Sequence, residues 1–318
     1  MRRILFCVLL AIATSAPLLR AQDPNPAIAS LADMSRSGNF PQLIQAANSL
    51  LAAGKLSPAD EAMTLTYLGY AHQQSGQFTE ATASYEKALA IVDRDGQHTS
   101  DYAATLATLA TVYAQIGQID TAKHVLHRSI DMFESEGDHA GAAMVWNDLA
   151  TIAAQQHART EARKDMAHCI SESHLASNMT PGELASLSTT EGRIAELDGD
   201  PRTAISDYQH ALDLWQQTRE NQQQRTAWLY VLLAGAYLQV GDLAAARETV
   251  TRGMSLLEST SGRQTPRYLL AELTYSKILD ASGAHDQASQ LRREAQSDLN
   301  TGTDRQRAQS QISVNALR

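Results

Sequence analysis

Three groups of side chains have the chemistry to hold a metal or attack a substrate. His124 and His127 stand three residues apart, a spacing that puts both imidazoles on one helical face and suits a metal ion. No nearby acid or cysteine completes a ligand set, so the pair reads as part of a solvated face. His168, Cys169 and His174 form a second group. A nucleophilic thiol needs a positioned base and an accessible thiolate. Cys169 instead occupies a slot filled elsewhere by Ala88 and Ala211, which reads as a small buried side chain. Glu134, Glu136, Asp138 and His139 make a third group, expected as solvated charge in a connecting loop. The chain has no Gly-rich phosphate loop, no HExxH and no GxSxG. The expectation is therefore a protein that is not an enzyme, with no metal site and no cofactor.

The elements that carry these groups repeat. Leu68 to Ile91 reads as two amphipathic helices joined by a turn at Ser75-Gly76-Gln77. The turn residue recurs as Gly38, Gly76, Gly117, His157, Gly199, Gly241 and Gly283, at intervals of 38, 41, 40, 42, 42 and 42. Five residues past each turn stand Leu43, Ala81, Ala122, Ala162, Ala204, Ala246 and Ala288. Nine past stand Ala47, Tyr85, Leu126, Met166, Tyr208, Val250 and Arg292, and thirteen past Leu51, Leu89, Ile130, Ile170, Leu212, Met254 and Gln296. Steps of four keep these residues on one helical face. Helix starts are marked at Ser57-Pro58, Thr180-Pro181-Gly182-Glu183, Asp200-Pro201 and Thr265-Pro266. No alternating strand pattern appears. The polar Arg292 and Gln296 suit a terminal repeat with no following neighbour. The array is expected to fill residues 22–299, with a polar C-terminal tail over 300–318.

Leu68-Gly69, Ala81 and Tyr85 match the pattern of the tetratricopeptide repeat, as do Leu109-Ala110, Tyr113 and Ala122. Trp146, Leu149-Ala150 and Ala162 match it again, and so do Leu233-Ala234, Tyr237 and Ala246. The chain resembles that family over roughly Pro24 to Asn300, with a longer unit like that of kinesin light chains and bacterial peptide-sensing regulators. The resemblance implies an all-α solenoid of about seven antiparallel helix pairs, wound as a right-handed superhelix. It also implies that the first helix of each pair lines a concave groove. Mapped onto this sequence, the groove would present Tyr67, Tyr70, Asn147, Asp148, Thr151, Thr190, Arg193 and Trp228 to a partner. The Lys/Asn clamp of chaperone-binding members is absent from the matching positions. The expected function is to hold a protein or peptide partner, and the alternative is a small-ligand or peptide-signal sensor that uses the same groove.

The first 21 residues read separately. Arg2 and Arg3 precede an apolar run from Ile4 to Ala16, and Ala21 offers a small residue for cleavage. This is the layout of a secretory signal peptide. The run is short for a membrane span, and Cys7 lies within it, unlike a lipid-modified cysteine. Cleavage would leave Gln22 first, with 23 basic and 35 acidic residues and a net charge of −12. That charge argues against nucleic acid or an anionic membrane as partner. Cys169 would be the sole remaining cysteine, so packing rather than a disulfide must stabilise the fold. The expected location is the periplasm or the medium, with no membrane span after cleavage.

Overall fold

The structure, a computed structural model, describes residues 26–95, 100–218, 223–263 and 265–316. The expected signal peptide and its cleavage site lie outside these residues. Among the described residues there are fourteen α-helices and no strand. They are α1 (Pro26–Ser37), α2 (Phe40–Ala53), α3 (Pro58–Gln74), α4 (Phe78–Asp95), α5 (Ser100–Gln115), α6 (Ile119–Ser135) and α7 (His139–Gln155). There follow α8 (Arg159–Leu175), α9 (Pro181–Asp198), α10 (Pro201–Gln216), α11 (Gln223–Gln239), α12 (Leu243–Ser261), α13 (Pro266–Ala281) and α14 (His285–Ala316). The expected tail is thus largely continuous with the last helix. No helix among the described residues is long and apolar enough to cross a membrane.

The chain divides into two compact units. The first holds Met1–Ile152 and His168–Ser177, the second Ala153–Ala167 and Asn178–Arg318, so the chain passes between them within α7 and α8. Inside each unit a helix packs on the next one or the next but one, as α3 does on α4 and α5, and α11 on α12 and α13. Such packing between neighbours is what a repeated helix pair produces, because no pair can bury its apolar stripe alone.

All seven turn residues adopt the left-handed conformation, at φ between 56° and 85°. This closes each first helix with two backbone bonds that satisfy orphan carbonyls. At the second turn Gly76 N–H donates to Gln73 O at 3.0 Å and Gln77 N–H to His72 O at 2.8 Å. The His157 turn repeats the pattern, with bonds from His157 to Ala154 at 3.1 Å and from Ala158 to Ala153 at 2.9 Å. His157, at φ 56°, is the one non-glycine residue in that region among those described. A left-handed L-residue costs about 1–2 kcal/mol, against about 0.5–1 for the extra unfolded freedom of glycine. His157→Gly is expected to raise stability by about 1 kcal/mol, seen as a higher urea midpoint. An unchanged or lower midpoint would contradict the strain.

The slot five past each turn is fully buried in every pair, as leucine in the first and alanine in the other six. Second helices approach first helices through it, so the site has no room for more atoms. Ala204→Leu should therefore cost about 1–3 kcal/mol through overpacking. His124, exposed on α6, should tolerate alanine within about 0.5 kcal/mol. Equal denaturant midpoints for the two variants would break the register.

Helix starts follow the sequence signals at three of four places. Ser57 and Asp200 accept from Asp60 N–H and Thr203 N–H at 3.1 Å each. Thr180 and Glu183 form a reciprocal capping box. Thr265 makes no side-chain cap; its hydroxyl donates backwards to Gly262 O at 3.0 Å.

Candidate functional site

The eight candidate groove residues separate by burial. On the first unit Tyr70 and Thr151 are half-buried, and Tyr70 meets Phe40 edge-on at 5.9 Å. On the second unit Arg193 and Trp228 are half-buried. Tyr67, Asn147, Asp148 and Thr190 are buried in the free protein. Tyr67 packs with Leu31, Leu43 and Leu68, and burial raises its pKa, with Arg36 opposing and Asp101 adding. Thr190 Oγ1 donates to Ser186 O at 3.2 Å. Asn147 Oδ1 has no hydrogen-bond partner. Burial holds the Asp148 carboxyl well above the usual carboxylate range. Tyr70, Thr151 and Arg193 share one slot, six residues before their turns, whereas Asn147 stands ten before and Thr190 nine before.

Beside these residues lies a polar network that the sequence reading missed. Tyr85 Oη donates to Gln73 Oε1 at 3.3 Å, and Gln73 Nε2 donates to Thr111 Oγ1 at 2.7 Å and Gln115 Oε1 at 3.3 Å. The second unit repeats it with a carboxylate. Tyr208 Oη donates to Glu196 Oε2 at 2.7 Å, and Gln239 Nε2 to Glu196 Oε1 at 3.2 Å. Gln73 and Glu196 both stand three before a turn, the tyrosines nine after it, and Gln115 and Gln239 two before the next turn. That fixed spacing is the signal that could have found the network. Burial raises the Glu196 pKa, while the Tyr208 bond and then Arg193 pull it down. Burial likewise lowers the Arg193 pKa, with Tyr208 and Glu196 opposing. Arg193 is therefore a half-buried counter-charge to this network.

The histidines meet an aromatic ring. In the first unit His168 stacks on Trp146 at 4.4 Å and 18°, and His127 meets the same indole edge-on at 5.7 Å. Cys169 is fully buried beside them in sequence. The loop acids act locally: Asp138 Oδ1 accepts from Gly141 N–H at 3.0 Å and caps α7, and His139 Nδ1 pairs with Glu172 at 2.8 Å. Among the described residues no group of three or more His, Cys, Asp or Glu is placed to hold a metal ion. Two clefts of about 380 and 250 Å³ open on α2–α4 and α4–α6, and neither is lined by the eight candidates.

The same spacing is recognised by comparison. A tetratricopeptide repeat family model matches residues 60–135 and 183–259, each span holding one of the two polar networks. A sequence comparison with curated proteins finds no match. Among solved structures, NprR in complex with its cognate peptide NprX superposes with a TM-score of 0.64 at 15% identity, over 92% of this chain and 87% of that one. A tetratricopeptide repeat protein from Parabacteroides merdae gives 0.53 at 15% identity, over 86% and 91%. BtubC from P. vanneervenii gives 0.53 at 18% identity, over 75% and 94%. At these identities the likenesses speak for the fold. With the seven left-handed turns, the alanine slot and the family matches all in one register, the chain belongs to the tetratricopeptide repeat family.

Proposed function

We propose that the protein is an exported, non-enzymatic binding protein that holds a peptide or protein partner against its first helices. The observation that carries this reading is that half-buried Tyr70 and Thr151 on the first unit, and Arg193 on the second, occupy the same first-helix slot of their own pairs. In the other four pairs the same slot holds Ala32, Thr111, Gly235 and Lys277, Thr111 being buried, so the three side chains belong to these pairs and not to the repeat as such. Tyrosine and arginine are also the types that carry most binding energy when desolvated. The likeness to a structure of NprR holding a peptide supports the choice of ligand class. Export is supported by Arg2, Arg3, the Ile4–Ala16 run and Ala21.

A photo-crosslinking side chain placed at Tyr70, Thr151 or Arg193 tests the reading in the producing cells. Crosslinked products specific to these positions, and absent at the exposed His124 of α6, are expected. Products confined to His124 would move the site off the first helices. Mass analysis of the purified protein should show Gln22 as its first residue, and an intact Met1-Arg2 terminus would remove the export part.

A further inference from the structure

Gly235 lies inside α11, where glycine weakens a helix relative to alanine. At Gly69, Gly141, Gly182, Gly192 and Gly253 packing requires glycine, because a Cβ would stand within 3.0 Å of a neighbouring atom. At Gly235 it would not. Among the described residues the one atom within 4 Å of a notional Cβ is Glu196 Oε1, at 3.8 Å. The space over half-buried Gly235 therefore opens onto the Glu196 carboxylate. The first unit shows what fills this space in another pair. There the slot of Gly235 carries Thr111 and the slot of Glu196 carries Gln73, and Gln73 Nε2 donates to Thr111 Oγ1 at 2.7 Å. A tyrosine and a second glutamine complete the network in both units. In the second unit the threonine is replaced by glycine and the amide by a carboxylate.

Glu196 Oε1 accepts one bond, from Gln239, and a carboxylate oxygen can accept about two. Arg193 holds the slot of Gly235 one pair earlier and meets Glu196 by charge, not by a hydrogen bond. Lys277 holds that slot one pair later, on α13, which packs on α11. The notch over Gly235 thus has an acceptor at its wall and cationic donors in the same slot on either side. A carboxylate has no proton to give Glu196 and shares its charge. An ammonium can donate but meets Arg193 and Lys277 as like charges. A carboxamide donates with its NH2 and accepts with its C=O. One threonine side chain fills the corresponding space in the first unit, so the notch has the width of a side chain rather than of a main chain. We propose that this notch takes the side-chain carboxamide of a glutamine or asparagine of the peptide partner, its NH2 donating to Glu196 Oε1 and its C=O accepting from Arg193. The proposal rests on reading the protein as a peptide binder.

The test uses end-blocked pentapeptides of alanine with glutamine, asparagine, glutamate or lysine at the centre, and blocked pentaalanine. Binding to protein carrying isotope-labelled glycine is followed by NMR, the Gly235 signal being identified by its loss in Gly235→Ala. The glutamine or the asparagine peptide is expected to shift that signal and to bind about tenfold more tightly than the glutamate, lysine and alanine peptides, the size of one hydrogen bond. Gly235→Thr, measured by calorimetry, is expected to lose this preference. It is also expected to raise the urea midpoint, because it supplies the side chain that closes the network in the first unit. A lower midpoint would mean that packing requires the glycine, and would overturn the proposal. So would a glutamate or lysine peptide binding as tightly as the amides, or Gly235→Thr keeping the preference. Equal binding of pentaalanine, with the same shift of Gly235, would assign the notch to main chain; the side-chain site falls and the peptide-binding reading stands. Absence of binding by both amide peptides also overturns the proposal, and the crosslinks at Tyr70 and Thr151 judge the peptide-binding reading separately.

Discussion

Tyr208→Ala is expected to cost about 3–5 kcal/mol, the range for truncating a large buried ring. The Tyr208 side chain is fully buried and fills space that Gly192 leaves by having no side chain. A Cβ on Gly192 would stand 2.5 Å from Tyr208 Cε1. The same substitution leaves the Glu196 carboxylate without its hydroxyl donor at 2.7 Å, so the loss should exceed that of a plain cavity. Gly192→Ala is expected to cost about 1–3 kcal/mol by the opposite fault, overpacking. Other pairs show the repair. The slot of Gly192 holds Ala110 where the slot of Tyr208 holds Leu126, and Ala234 where it holds Val250. Gly69 and Tyr85 repeat the glycine–tyrosine solution, with a notional Cβ 2.9 Å from the ring. The double variant Gly192→Ala/Tyr208→Leu should therefore fall short of the summed single losses by about 0.5–3 kcal/mol. Denaturant titrations of the four proteins would measure this coupling. Losses that simply add would mean the two residues do not share one space.

Asp148→Asn is expected to raise stability at neutral pH by about 1–3 kcal/mol, the scale for a buried polar group that lacks compensation. Asp148 is only 7% exposed, and its burial raises its pKa. The sign follows from linkage. A carboxyl whose folded pKa is raised holds its proton in the fold and gives it up on unfolding. Its favourable contribution is complete below about pH 4, the unfolded value, and is lost as pH rises toward the folded pKa. The gain of Asp148→Asn over wild type should thus be small in acid and grow as pH rises. Taking the difference between the two proteins removes the contribution of Asp101, whose pKa burial raises to about 6. A difference that stays constant with pH would mean that Asp148 ionises freely in the folded protein.

The repeat was legible in the sequence because its causes are local and recur. A left-handed turn favours glycine wherever it falls, so six of seven turns announced themselves, and spacing exposed His157 as the seventh. A helix–helix contact with no room favours alanine in the same way. The candidate site was less legible. Periodicity assigns Tyr67, Asn147, Asp148 and Thr190 to first helices, but it does not say how far the neighbouring helices cover them. Their burial depends on the sizes of side chains distant in sequence. Thr190 shows a second limit: its hydroxyl bonds Ser186 O on its own helix, so polarity there does not by itself mark a surface. The network around Gln73 and Glu196 joins three helices, and no single amphipathic pattern reveals it.

Packing of a helix on the next one or the next but one, as α3 on α4 and α5 and α11 on α12 and α13, has a kinetic consequence. Few contacts require distant parts of the chain to meet, so the loop-closure entropy before the first productive contact is small. Folding should be fast for a chain of this length, with nucleation open to several helix pairs rather than to one obligatory nucleus. Opening is graded for the same reason. A terminal pair can fray by breaking its contacts on one side only, whereas an internal pair must break them on two. Amide hydrogen exchange should then show protection rising inward from α1–α2 and from α13–α14. Unfolding followed at Trp146 and at Trp215 need not share one midpoint, because each reports the pairs around it.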